Sequence, residues 1–465
     1  MANPFRLHQI AVAAASGLLL LGSTSAGAAG FQLNEVSASG LGNAYAGAAA
    51  VAEDASTLWS NPAGLSKLSS RQVVSVVHLI TPSIQFSNGA SAAASQQVLG
   101  GNGGDAGGLN VVPNLYVAMP LSSTWAVGVG VTAPWGLVTE YEPGWIGRFQ
   151  GARSDIMTLN INPGLSFKAA PGLALGVGLN VQRLLAEFTN QVNFSAALLS
   201  AAMANGITAG SPTFNAIAAA TPGLESHARI HGSDNGYGWN AGLLWDLGPQ
   251  QRLGLHYRSA LKYHLNGTAR FDHPTLSVTG VLAPTVTALA NGVKAAALYD
   301  TAIRADVEMP PIANLSYFGA LGSRWDLMAD LQWTGWSTIQ TLRFDRADGT
   351  LLQSTPEHFK DSWKLAVGAN YKPGGAWLWR LGVAFDQSPV QDAFRTPRLP
   401  DSNRTWVAGG AQFKPSPQWR FDLGAAYVFS KQATINADGG AAAGLLNGQY
   451  NSHTVIVSGQ ATWAF

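Results

Sequence analysis

Few residues of this 465-residue chain have the types and spacing that covalent chemistry needs. It contains no Cys, so thiolate nucleophiles, thiolate metal sites and disulfides are excluded. A hydrolase would need a Ser/His pair with an orienting carboxylate. No G-x-S-x-G, H-E-x-x-H or P-loop pattern is present. His227 and His231 stand at i, i+4, but they read as loop residues with no carboxylate set, so neither a metal nor a cofactor is expected. The Gly-rich stretch 100–108 has no helix after it to bind phosphate and reads as a flexible loop. Two short runs carry more information. Asn61-Pro62-Ala63 supplies a turn, because Pro fixes φ and Asn bonds to nearby backbone. Pro134-Trp135-Gly136 follows the alternating run 127–131, and Pro cannot donate to a sheet ladder. There the strand either kinks or ends at Ala133 in an external turn.

These residues need elements to hold them, and the composition narrows the choice. Charged residues are 11%, against about 25% in soluble domains. The net charge of +1 argues against nucleic acid or another polyanion as partner. Residues 1–28 have a weakly basic start (Arg6, His8), an apolar run over 10–21 and a small-residue site at Ala26-Gly27-Ala28, the pattern of a signal peptide cleaved before Ala29. No later stretch is long and apolar enough for a transmembrane helix. The remaining membrane option is a β-barrel, whose backbone polar groups all pair between strands.

The last thirteen residues show the strand pattern most clearly. Val455, Val457, Gly459, Ala461, Trp463 and Phe465 share one face, with Thr454, Ser458, Gln460 and Thr462 on the other. Apolar faces that begin or end on an aromatic residue recur at Trp325/Trp333, Trp363/Tyr371, Trp379/Phe385 and Trp419/Phe429, as an interfacial aromatic girdle requires. Candidate strands are 71–84, 110–121, 123–133, 156–168, 172–187, 235–247, 251–265, 311–321, 323–334, 359–372, 377–387, 403–413, 417–430 and 452–465. The fold expected is all-β, a 14-stranded antiparallel transmembrane β-barrel over 71–465, with residues 29–70 as an N-terminal hatch, or plug, inside the lumen. Tight connections such as Ala170-Pro171-Gly172 are expected to face the periplasm and the longer insertions the exterior. Insertions 195–230 and 272–306 are Ala- and Leu-rich and suggest short amphipathic helices, serving either as packing over the mouth or as an apolar landing surface.

Gly30-Phe31-Gln32-Leu33-Asn34-Glu35, Ser39-Gly40-Leu41-Gly42, Ala44-Tyr45 and Asn61-Pro62-Ala63 resemble the hatch of the FadL family of outer-membrane transporters for long-chain fatty acids and other hydrophobic compounds. Residues 131–137, Trp333-Thr334-Gly335-Trp336-Ser337, Phe359-Lys360-Asp361 and 385–390 are similar to further family signatures. The resemblance spans nearly the whole mature chain. It implies a Gram-negative outer-membrane protein, not an enzyme, that takes up hydrophobic compounds passively. Long-chain fatty acids are the first expectation and monoaromatic hydrocarbons the alternative; an outer-membrane lipid hydrolase is the reading from another class. It also implies a kink at Pro134, Trp135 and Gly136 that opens the wall sideways. A fatty acid needs an apolar pocket and a cation. Phe31 is the candidate for the pocket, and Lys360, Arg183 and Arg404 for the cation. Arg183 shares the phase of Val177, Leu179 and Val181 and would face outward unless the strand bulges. Expected partners are the apolar ligand, outer-membrane lipid and lipopolysaccharide, and the assembly machinery through Phe465, with the protein a monomer and no nucleic acid bound.

Overall fold

The computed structural model describes residues 30–465. The signal peptide expected over 1–28 lies outside the described residues. Residues with period-two apolar faces form one antiparallel sheet of twenty segments that closes on itself as fourteen strands, six of them interrupted. The strands are β1 (Gln72–Asn88), β2 (Asn110–Pro120), β3 (Trp125–Thr132 and Gly136–Glu140), β4 (Arg153–Ala170), β5 (Leu173–Asn193), β6 (Glu225–Gly248) and β7 (Gln251–Arg258 and Leu261–Asp272). There follow β8 (Thr301–Met309 and Ile312–Leu321), β9 (Trp325–Thr334 and Thr341–Arg346), β10 (Leu351–Pro356 and Ser362–Gly374), β11 (Trp377–Asp386), β12 (Arg404–Phe413), β13 (Trp419–Ser430 and Ala433–Asp438) and β14 (Leu445–Ala464). Closure runs from Gln72 opposite Ala464 to Asn88 opposite Gly448. The pairings close into a ring, so the sheet has no terminal strand among the described residues, as a hydrocarbon environment demands.

Each expected strand is present, but β6 starts at Glu225 and β8 at Thr301, each ten residues before its expected start. His227 and His231 therefore stand on a strand and not in a loop. The insertions fold as expected into helices, α1 (Phe194–Ala204), α2 (Pro212–Ala220) and α3 (Ala283–Ala296), which bury Leu198, Ile217 and Val286 against one another. Along the wall, Val177, Leu179, Leu365 and Val383 face outward and are exposed, while Asn160, Asn180 and Asn240 face the lumen. Exposed Trp125, Trp325, Trp377 and Trp419 ring the rim with the short turns; Trp239, Tyr257, Trp363 and Phe385 ring the other. Apolar outside, polar inside and aromatic at both interfaces is a soluble fold inverted for lipid.

Residues 30–71 fill the lumen as a hatch with almost every side chain buried. Its close seat depends on missing side chains in the wall. A Cβ at Gly176 would overlap the backbone of Pro62 and Ala63, and one at Gly242 the Asn61 side chain. Only Gly lets the backbone approach so near.

Candidate functional site: the hatch, the kinked strand and an apolar cavity

The hatch turn is built as its residue types require. Asn61 caps the short helix Pro62–Lys67: its Oδ1 accepts from Ala63 N at 3.0 Å, and Pro62 takes the first helical position, where no N–H is needed. The same side chain then leaves the hatch. Its Nδ2 donates to Ala49 O at 2.7 Å and, across to β6, to Leu243 O at 3.0 Å. Asn61 is thus both a cap and a staple to the wall.

A second set of ties is ionic. Arg380 of β11 donates to Glu53 of the hatch at 3.0 Å and to Asp422 of β13 at 2.9 Å. Arg420 of β13 pairs with hatch Asp54, which also accepts from Gln460 Nε2 at 2.8 Å. Arg258 of β7 lies 3.5 Å over the ring of hatch Trp59 and donates to its carbonyl. Buried charges persist only when paired in this way.

The front of the hatch meets the kink. β3 breaks at 133–135, and the gap in its ladder is filled by the N-terminal segment: Leu33 N donates to Pro134 O at 2.8 Å and Gly136 N to Phe31 O at 2.8 Å. Trp135 N is satisfied by Thr158 Oγ1 at 2.9 Å. The interruption therefore covers Ala133, Pro134 and Trp135 within the wall, and the strand resumes at Gly136, opposite Met157.

Phe31 projects from that junction into an aromatic nest. Its ring meets Trp336 edge-on at 4.9 Å and Trp135 at 6.0 Å, and Trp336 meets Phe359 at 5.9 Å. These rings come from the start of the chain, the kink and two motifs over three hundred residues on. Phe31 and Phe359 line a cavity together with apolar residues such as Leu184, Leu265, Met309 and Leu342. Only two ionisable groups line it, Glu357 and Arg398. Arg398 donates to Thr189 O at 3.3 Å and to Asn190 Oδ1 at 3.2 Å, and its guanidinium stands 5.4 Å from the Phe188 ring. Both groups lie in segments beyond the membrane-spanning part of the wall. Burial pushes the Glu357 carboxyl up to about 8, against the opposing pull of Arg398. Burial likewise lowers Arg398, to about 10, so it still carries its charge at neutral pH.

The expected cations are elsewhere. Lys360 is exposed just outside the first residue of its strand segment, with its backbone N on Pro389 O at 3.0 Å. Arg183 faces outward, donating to Ser233 Oγ at 2.7 Å; β5 keeps its alternation there, so no bulge turns the side chain in. Arg404 is buried but away from the cavity, paired with Asp401, whose other oxygen accepts from Gly30 N at 2.7 Å. Of the four residues expected to bind ligand, only Phe31 reaches the cavity. Arg398 and Glu357 escaped the sequence reading, although the spacing Arg395, Arg398, Asp401, Arg404 in a Pro-rich connection was a signal. Two Ser–His contacts are present among the described residues, and neither lines the cavity. Ser226 Oγ lies 3.1 Å from His273 Nδ1. His78 Nδ1 lies 2.5 Å from Ser458 Oγ, but both are sealed in the wall and His78 Nε2 makes no hydrogen bond, so no carboxylate orients the ring.

A model of the family described as outer membrane protein transport protein (OMPP1/FadL/TodX) matches residues 19–465. The chain belongs to this family. It is an outer-membrane barrel that transports hydrophobic compounds. A relative from Escherichia coli O157:H7 named long-chain fatty acid transport protein is 29% identical over 418 residues, which cover 89% of this chain and 91% of the relative. A Pseudomonas aeruginosa FadL homologue has a crystal structure that superposes with a TM-score of 0.82 at 26% identity, covering 94% of this chain and 100% of that one. The toluene transporter TodX of Pseudomonas putida shares the fold, with a TM-score of 0.66 at 18% identity over 94% of this chain and 100% of that one. This FadL-family barrel thus has a closed wall and a hatch consistent with the family.

Proposed function

We propose that the protein takes up long-chain fatty acids, holds them in the Phe31 cavity with the carboxylate toward Arg398, and releases them sideways through the kink at Pro134, Trp135 and Gly136 when the N-terminal segment withdraws. The observation that carries this reading is a buried guanidinium on an apolar cavity whose other ionisable lining group, Glu357, is favoured in its neutral form by burial. Each CH₂ kept out of water contributes about 0.8 kcal/mol, so the chain supplies the affinity and the cation the orientation. A purely aromatic hydrocarbon would have no use for a buried cation and would leave it without a counter-charge. Lateral release follows from the same arithmetic, since an acyl chain discharged into the periplasm would have to be rehydrated. The E. coli relative's name agrees with this substrate.

The test is equilibrium binding of oleate and of toluene to purified wild-type protein and to Arg398→Met. Loss of a charge-assisted contact of about 1.5–3 kcal/mol should weaken oleate roughly ten- to a hundred-fold and leave toluene unchanged. Equal oleate affinity in both proteins would remove Arg398 from the site. Binding of toluene alone by the wild type would transfer the protein to the monoaromatic class.

A further inference from the structure

The wall is also interrupted between β6 and β7, a strand whose Leu265 lines the same cavity. β6 pairs with the first segment of β7 from Asn240 opposite Arg258 to Gly248 opposite Gln251. It pairs with the second segment from Ser233 opposite Asn266 to His227 opposite Asp272. Between these ladders, 234–239 meet 259–265 mainly through side chains. Trp239 N donates to Ser259 Oγ at 2.9 Å and His264 N to Asp234 Oδ2 at 2.7 Å, with one backbone bond, Ser259 N to Trp239 O, at the lower end.

A ring fills this seam. A Cβ at Gly236 would lie 2.6 Å from Cζ of Tyr263, so the absence of a side chain on β6 is what lets the ring in. Tyr263 is 1% exposed and belongs to the same apolar cluster as Phe31, Leu184 and Leu265. On the other side of the wall stand Tyr237, 70% exposed, and Trp239, whose ring packs 5.3 Å from Tyr257.

Register relates the two sites. Gly236 lies opposite Gln182, Gln182 opposite Asn160, and Asn160 opposite Thr132 at the β3 break. Tilted strands make such a line climb the wall. Gly236 stands twelve residues from the short-turn end of its strand at Gly248, whereas Thr132 stands seven from Trp125, so relative to the β3 break the seam lies farther toward the long-loop rim. On β5 the outward apolar run Leu179, Val181 ends there and Arg183 begins; their partners are Trp239, Tyr237 and Asn235. On the long-loop rim this is the boundary between acyl chains and head groups of the outer leaflet. A single-chain amphiphile already in that leaflet would have its tail and head at the depths the seam spans.

We propose that the β6–β7 seam is a second side portal, stoppered by Tyr263, through which apolar ligands dissolved in the outer leaflet reach the Phe31 cavity without crossing water. It rests on the reading that this cavity holds the ligand. The ligand class is a single-chain amphiphile or a neutral hydrocarbon that partitions into lipid. Passage requires the Tyr263 ring to swing away from Gly236, and the side-chain ties leave few backbone bonds to break. The β3 kink, closed by the N-terminal segment, then serves the opposite step.

The native chain has no Cys, so a cross-link can be placed cleanly. Tyr237→Cys and Lys262→Cys, both outward and exposed, face each other across the seam. The doubly substituted protein in lipid nanodiscs is offered cis-parinaric acid from lipid vesicles, and arrival is followed by energy transfer from tryptophan. Oxidation, verified by mass, should slow association about ten-fold relative to the same protein reduced, with equal equilibrium binding. Tyr263→Ala, which needs no cross-link, should speed association. Equal rates in the oxidised and reduced states, with normal equilibrium binding, would overturn the portal alone. Absence of equilibrium binding in the reduced protein would overturn the cavity reading and the portal with it.

Discussion

Asp54 is the position at which the hatch should be easiest to unseat. Its carboxylate is 1% exposed and accepts from Arg420, from Gln460 Nε2 at 2.8 Å, and from Ser56 N and Oγ at 2.8 and 2.5 Å. In Asp54→Ala, Arg420 keeps the Glu53 carbonyl at 3.1 Å and Asp422 at 3.3 Å, but its best partner is gone and the Gln460 amide loses an acceptor. Removing one member of a buried pair costs about 3–5 kcal/mol, because the other charge stays buried. If the released hatch is solvated, that cost favours release by about two to three and a half powers of ten. Planar-bilayer recording should then show frequent openings approaching the conductance of a barrel lacking residues 31–65. The double variant Asp54→Ala/Arg420→Met removes both charges and should return toward wild-type silence, since loss of a whole buried pair is often neutral. Asp54→Ala channels as quiet as wild type, in protein whose barrel remains heat-modifiable on gels, would refute the ionic seat as the tie that holds the plug.

Four further outcomes are expected. Oleate affinity should fall as pH rises through about 8, because Glu357 ionises there and places a second anion in the cavity; Glu357→Gln should flatten the profile. Because burial raises this pKa from 4.5, the stabilisation from the neutral carboxyl is complete below 4.5 and is lost progressively up to about 8, so the thermal stability of Glu357→Gln relative to wild type should rise across that range and level off above it. Replacing Pro134-Trp135-Gly136 with strand-forming residues should abolish uptake in a growth assay on oleate while the barrel assembles, and normal growth would count against sideways release. Asn61→Ala removes a cap and a wall staple together and should cost about 2–3 kcal/mol of hatch docking, read as earlier proteolysis of residues 30–71 with an unchanged barrel core.

Alternation made most of the barrel legible. Strands such as β11 and β13 advertise themselves because lipid requires one apolar face, and Trp at their ends marks its limits. The first ten residues of β6 were missed because they rise above the apolar band. There Ala228 and Ile230 point inward while His227, Arg229 and His231 point outward, so the pattern is inverted and weak. The hatch was legible as a stretch with no strand period, and the break at Pro134 from proline's missing donor. The cation was not. Arg398 sits in a connection that dips into the lumen, where no periodicity tells inside from outside. Lys360 failed for a related reason: it lies in the connection before the strand segment, which begins at Ser362. Arg183 was read correctly by phase, and the wall geometry confirms the outward side over the role.

The junction of the N-terminal segment with β3 has a bearing on how any side opening behaves. Residues 31–33 act there as a borrowed rung, contributing one acceptor and one donor to a strand that cannot complete itself across its proline. Withdrawal of the segment bares Pro134 O and Gly136 N toward hydrocarbon, where each unpaired group costs several kcal/mol. A dry, standing hole is therefore the least stable form of the gate. The opening has to be brief, or wetted, or occupied by a ligand polar enough at one end to take up those two bonds. Passage and patching would then be one event, and the barrel would leak least when it works fastest.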